Sequence, residues 1–267
     1  MKRRPPWILL LLGCLLLATL YVRAEVAALR RRNPTSTALI ELRIRQARKA
    51  RIPYPTRMIW KNTDEISPHL VHAVLLAEDD RFYQHHGFDL EQIWIAVKTN
   101  LHERRYAYGG STISQQLART LYLSPRKNLL RKLLEAFFTL QMELMLSKGR
   151  ILELYLNVAE WGKGIYGAEA AARHYFNTSA ADLTPDEAVA LASILPSPRR
   201  WNPVSEQGFM ARRRTQLLHR MQRAGYVQDD PDVAASGTFD PAIPSPETIS
   251  NPDSLQGSFL HEAPEHP

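Results

Sequence analysis

Apolar and polar positions along the chain follow different rules in successive stretches. From Trp7 to Val22 the chain is rich in Leu and free of charge, with Lys2-Arg3-Arg4 before it and Arg23 after it. From about residue 24 to 61 it is polar and irregular, with Arg-rich helical potential near Val26 to Arg32 and again from Ala38 to Arg51. Between Ile66 and Gly225 apolar residues recur at three- and four-residue spacings with short breaks, which predicts helix after helix. The only β-like run is Met58-Ile59-Trp60, so the fold class expected is mostly α. Beyond Tyr226, Asp, Ser, Glu and Pro take over and no core can form. These changes divide the chain into a stub and membrane segment (1–23), a stalk (24–61), a folded domain (62–226) and a disordered tail (227–267).

Helix boundaries are legible inside the folded domain. Ser67-Pro68 is a start signal, after which Val71, Val74, Leu75 and Glu78 share one face. Thr184-Pro185-Asp186-Glu187 is a capping box with Pro at the first helical position, leading into Ala188, Leu191, Ala192 and Leu195 before Pro196. A last helix is expected from Ser205 through Leu217 and Met221 to a Gly225 stop.

The Leu-rich N-terminal run reads as an uncleaved membrane anchor or as a signal sequence cut after Ala24, and the Arg between Val22 and Ala24 favours the anchor. Basic residues flank it on both sides, so the positive-inside rule chooses no orientation. Cys14 is the only cysteine, so packing alone must hold the outer domain. A formal charge of +7 over 267 residues points to an anionic partner. A membrane surface or a phosphorylated substrate suits an anchored chain, and no zinc-finger or RNA-recognition spacing supports nucleic acid.

Glu78 carries the first chemical signal. It ends an apolar helix and opens Asp79-Asp80-Arg81-Phe82-Tyr83-Gln84-His85-His86-Gly87. Desolvation and the negative end of the helix dipole both push such a carboxylate toward a pKa suited to a general base. The alternative is an ordinary C-terminal Glu reaching solvent. Gly110-Ser111-Thr112-Ile113-Ser114-Gln115-Gln116 places hydroxyls, amides and glutamines at a helix start, which suits a phosphate or sugar hydroxyls, or else merely caps the helix.

Lys127, Arg131 and Glu135 form a polar stripe on a helix flanked by leucines, so the helix is expected to be broadly buried with its charged row facing a cleft. In Lys148 to Asn157, Ile151, Leu152 and Tyr155 read as core, leaving Lys148 and Asn157 as functional candidates. Trp161-Gly162-Lys163-Gly164-Ile165-Tyr166-Gly167 reads as a ligand-contacting loop, and Arg212-Arg213-Arg214 as a solvated face. Ser124-x-x-Lys127 lacks the partner motifs of a transpeptidase, and His69, His72, His85 and His86 lack a third zinc ligand.

Glu78-Asp79 with Phe82, His85 and Gly87, then Gly110-Ser111-Thr112 with Gln115-Gln116, then Arg131-Lys132 with Glu135, then Lys148 with Tyr155-Leu156-Asn157, together resemble the peptidoglycan glycosyltransferases of family 51. The resemblance runs from about Ile66 to Pro203, and the absence of a transpeptidase domain resembles its monofunctional biosynthetic branch. It implies a lysozyme-like, two-lobed domain with an N-terminal transmembrane helix, at the bacterial inner membrane with the catalytic domain periplasmic. The implied reaction joins lipid II to a growing glycan strand and releases undecaprenyl pyrophosphate.

On this resemblance Glu78 is the base, Glu135 the second carboxylate, and Ser111, Thr112, Gln115, Gln116, Arg119, Lys127, Arg131, Lys132, Lys148 and Asn157 the substrate-binding set. The resemblance allows a divalent cation (Mg or Mn) near the pyrophosphate and no organic cofactor. Division or elongation proteins are the protein partners it implies. Arg119-Thr120 stands where the family usually has Lys-Asn, and Lys127 where it usually has Arg, so charge is kept while bidentate geometry differs. A lytic enzyme of similar fold and a non-catalytic anchored adaptor are the competing readings.

Overall fold

The structure, a computed structural model, describes residues 6–103, 110–125, 128–206 and 208–227, which leaves Lys127 and nearly all of the expected tail outside the described residues. Local sequence explains the helices. α3 (Pro68–Glu78) begins with Pro at its first turn and buries Leu70, Ala73 and Val74. α5 (Ile113–Tyr122) is closed by a Thr112–Gln115 capping box and buries Ile113, Leu117, Ala118 and Leu121. Asn128 and Ser147 cap α6 (Leu129–Met145) and α7 (Lys148–Val158) through their side-chain oxygens.

α8 (Ala168–Phe176), α9 (Pro185–Ile194) and α10 (Gly208–Arg223) complete the domain. α3 lies against α9 and α10, which also pack on each other, while α5 packs on both α6 and α7. Both groups share one core running from Val26 and Leu29 through Leu70, Leu117, Leu154 and Leu191 to Met221.

Three expectations change. The segment 24–61, read as a stalk, is docked on the body: Val26 and Leu29 at the end of α1 (Pro6–Ala28) are in the core, and α2 (Ala38–Lys49) packs on α5. Arg150 clamps the intervening turn, donating to Leu29 O at 2.7 Å, Arg32 O at 3.0 Å and Asn33 Oδ1 at 2.7 Å. Arginine-to-carbonyl bonds leave no periodic trace in a sequence. Likewise the Gly-rich aromatic stretch is not an open loop. β2 (Glu160–Gly162) runs antiparallel to β3 (Ile165–Tyr166), which pairs in parallel with β1 (Arg57–Met58), and Trp161 and Tyr166 are buried. Gly164 makes the turn at φ +78°, where a Cβ would lie 2.3 Å from Pro55 O.

α6 also turns out inverted relative to its expected burial. Leu129, Leu130, Leu133 and Leu134 face outward, Leu129 at 78% exposure, while Glu135 points inward. Trp94, Ile95 and Val97 on α4 (Leu90–Glu103) and Trp7, Leu10, Leu16, Leu17 and Leu20 on α1 are exposed as well. Among the described residues no helix is long and apolar enough to cross a membrane.

Candidate active site

The chain turns sharply after Glu78 because Asp79 leaves helical geometry and inserts its carboxylate under α5. Asp79 Oδ2 accepts from the Ile113 N–H at 2.9 Å, and Oδ1 accepts from His85 Nε2 at 2.9 Å. His85 Nδ1 in turn accepts from the Gly87 N–H at 3.1 Å, which assigns the ring proton to Nε2. Gly87 O accepts from Thr112 Oγ1 at 2.7 Å. Gly87 sits at φ +90°, and a Cβ there would lie 2.8 Å from Thr139 Cγ2 and 2.9 Å from Glu143 Cγ, so only glycine fits. Burial raises the Asp79 pKa, opposed in turn by the His85 and Ile113 hydrogen bonds. This buried lattice fixes where Glu78 stands.

The same bonds occupy the start of α5. Besides the Ile113 amide, the Gln115 N–H donates to Thr112 Oγ1 at 3.2 Å, and the Thr112 N–H donates to Gln115 Oε1 at 3.1 Å. Thr112 and Gln115 are therefore buried in the cap, and these amides face protein rather than ligand. Gln116, one residue on, points the other way and donates from Nε2 to Glu78 Oε2 at 2.8 Å. Its carbonyl accepts from Tyr155 Oη at 3.1 Å. A carboxylate accepts, so Glu78 takes the Gln116 NH₂ and the amide oxygen is left to accept from the Tyr155 hydroxyl, the two bonds together fixing the amide's orientation. Burial, then the Glu78 charge, raise the Tyr155 pKa well above 10, keeping that proton in place.

The second carboxylate, Glu135 on α6, is linked through Lys132 to the start of α5. Glu135 is 0% exposed, accepts from Arg131 Nη1, and accepts from Lys132 Nζ at 2.6 Å. Lys132 Nζ also donates to Ser111 Oγ at 3.3 Å, just ahead of α5. Glu78 and Glu135 are thus tied to α5 at Gln116 and, through Lys132, to the residue before its cap. Within this cluster Lys132 is the open cation, its side chain 45% exposed against 14% for Arg131.

Lys148 packs differently: Nζ donates to Glu143 Oε1 at 2.9 Å and lies 4.3 Å from the Phe82 ring centroid, while Ser114 Oγ also donates to Glu143. Arg119 is half-buried on α5, where its charge acts on Tyr155. Asn157 is fully buried and clamps the Lys61 backbone, accepting from its N–H at 2.8 Å and donating to its O at 2.7 Å. Lys127 lies outside the described residues.

Both oxygens of Glu135 are engaged by cations, and among the described residues no three His, Cys, Asp or Glu side chains converge.

Three residues that sequence reasoning passed over enter the site. Tyr155, read as core, is core by its ring and site by its hydroxyl. Glu143 was given no role, yet holds Lys148. Arg213, read as solvated, donates from Nε to Ser193 O at 2.9 Å, stacks over Trp201 at 5.7 Å, and feels the Glu78 charge. Arg213 stands in a run of three arginines, and nothing in that run marks Arg213 and Arg214, which bond to the Ser193 and Pro203 carbonyls, from the exposed Arg212. Chemically, the arrangement offers an oriented carboxylate beside a bank of fixed cations, as needed to take a proton at one point and stabilise departing negative charge at another.

Comparison with known proteins agrees in kind. Residues 46–222 match the family model described as Transglycosylase. A biosynthetic peptidoglycan transglycosylase of Nitrosospira multiformis is 44% identical over 192 residues, covering 72% of this chain and 84% of the relative. The same-named proteins of Alcanivorax borkumensis and Aromatoleum aromaticum are 41% identical over 240 residues (89% and 91% of the two chains) and 51% identical over 169 (63% and 74%).

Proposed function

The chain belongs to the transglycosylase family, and from that premise we propose that it polymerises lipid II into β-1,4-linked glycan strands with Glu78 as general base. The acceptor sugar's 4-hydroxyl gives its proton to Glu78 as its oxygen attacks the anomeric carbon of the growing chain. The bond from that carbon to the lipid pyrophosphate breaks, the configuration inverts, and undecaprenyl pyrophosphate leaves with the electron pair. Negative charge builds on the leaving group, so Lys132, backed by Arg131 and held by Glu135, lowers the barrier more than it tightens ground-state binding. Arg119 on α5 and Ser111, just ahead of that helix, assist.

The observation that carries this reading is the Tyr155–Gln116–Glu78 chain, which spends two side chains on aiming one carboxylate. The mostly helical body supports a lysozyme-like, two-lobed domain. We place the chain at the bacterial inner membrane, with its N-terminal segment as a single-pass anchor and the catalytic domain periplasmic. Outward-facing leucines and aromatics on α1, α4 and α6 support that placement, because apolar surface on this scale is costly in water and favourable against lipid. Anionic lipid and proteins of division or elongation are the further partners of this reading.

The test offers the purified full chain lipid II and, separately, finished glycan. Longer strands and free undecaprenyl pyrophosphate from the first, with the second left intact, are expected. Cleavage of finished glycan would establish the lytic alternative instead.

A further inference from the structure

A cleft of about 440 Å³ lies outside the Glu78–Glu135 cluster, between the β2–β3 turn, the end of α8 and the chain that follows α9. Its lining is basic. Arg57, Lys163, His174, Arg199 and Arg200 are exposed in it, Tyr175 and Trp201 give it aromatic walls, and no Asp or Glu lines it. The frame that carries these cations is rigid: Gly164 turns at φ +78° against Pro55 O, and its carbonyl accepts from the Arg57 N–H at 2.8 Å. Arg57 and Lys163 are thereby held side by side. Trp201 is fixed as well, its ring centroid 5.4 Å from that of Phe209 and 5.7 Å from the Arg213 guanidinium carbon.

Of these cations Arg199 shares Glu160, at 3.7 Å, with Arg43, which lies 3.0 Å from the other carboxylate oxygen. Among the described residues no carboxylate pairs with Arg57, Lys163 or Arg200. Like charges gathered on a fixed frame repel one another, and an anion seated among them removes that cost. The outward-facing leucines and aromatics of α1, α4 and α6 contribute nothing to the lining, so apolar contact on those helices does not fill the cleft.

The chain carries its own counter-charge. Asp229, Asp230, Asp232, Asp240, Glu247 and Asp253 follow the last described residue, and no Lys or Arg occurs after Arg223. α10 starts beside the cleft, at Phe209, and its 16 residues carry the chain about 24 Å away. From Arg223 to Asp240 the chain can extend about 55 Å, so the return is within reach.

We propose that the segment from Asp229 to Asp240 docks in this cleft, its carboxylates on Arg57, Lys163 and Arg200 and Phe239 against the aromatic walls. The contact is independent of which residue acts as the base. It withholds a basic surface from other anions and neutralises part of the charge of the folded body.

The test treats the detergent-solubilised full chain with a water-soluble carbodiimide, which joins carboxylates to lysines only where they touch, and maps the new amide bonds by mass spectrometry. Lys163 should be joined to an acid between Asp229 and Asp240. The yield should be independent of protein concentration and about fivefold lower in the Arg57→Gln/Arg200→Gln double variant, which loses two exposed ion pairs. Amides to this segment no more frequent at Lys163 than at the exposed Lys98, or a yield that the double variant leaves unmoved, overturn the proposal. A yield that rises with concentration overturns it too, because the occupant is then a second copy.

Acylation of Lys163 gives a separate reading. Replacing Asp229, Asp230, Asp232 and Asp240 together by Asn should speed it several-fold, and an equal rate in the two proteins refutes the docking. Protection of Lys163 that appears only when phosphatidylglycerol vesicles are added would make lipid the occupant and refute it as well.

Discussion

Replacing Glu135 by Gln keeps the side chain's shape and removes its charge. In the wild type the carboxylate is fully buried and accepts from Arg131 and, at 2.6 Å, from Lys132. The amide retains one acceptor and turns an NH₂ group toward a cation that can only donate. Breaking a buried ion pair costs about 3–5 kcal/mol, but the Lys132 side chain is 45% exposed and water takes over part of its share. A loss of about 3 kcal/mol follows, nearly all of it on the Arg131 side. At about 2–4 °C per kcal/mol for a domain of this size, Tm falls by about 6–12 °C. Thermal unfolding followed by circular dichroism reads this directly, with polymerisation rates taken below the transition. Turnover should fall as well, because Lys132 loses the group that aims it. A variant with wild-type Tm and abolished turnover would refute the reasoning, since Glu135 would then act on the reacting groups rather than as an anchor.

Two further outcomes are expected. Gln116→Leu removes a hydrogen bond to a charged carboxylate, worth about 1.5–3 kcal/mol, so the acid limb of kcat/KM should rise by about 1–2 pH units; an unchanged limb would detach Gln116 from the base. Asp79 has a folded pKa raised above its unfolded value. Between those two values the native state holds its proton more tightly than the unfolded chain, so stability falls as pH rises from the ordinary Asp range through the folded pKa, then levels off. Asp79→Asn should flatten that part of a urea-unfolding series, and equal slopes in the two proteins would count against a buried, ionising Asp79.

The helices and their ends were legible because they rest on local signals. Pro68, the Thr184–Glu187 box and the Gly225 stop each name a boundary with a few adjacent residues. Glu78 was legible for the same reason, as a carboxylate closing an apolar stripe. What was not legible depends on partners distant in the chain. Asn157 appeared as a free polar side chain until Lys61, 96 residues away, occupied it. The leucines of α6 promised a core but face outward, because the periodicity of a helix sets out its faces without saying which of them meets the rest of the protein. Tyr155 serves core and site at once, a division between atoms of one residue that spacing cannot express.

The central claim is that Glu78 takes the proton. Polymerisation of purified lipid II by Glu78→Gln, measured beside its Tm and its precursor binding, tests this most directly. A rate lower by about 10²–10⁴-fold with fold and binding retained is the result predicted. Strand synthesis at the wild-type rate would contradict it.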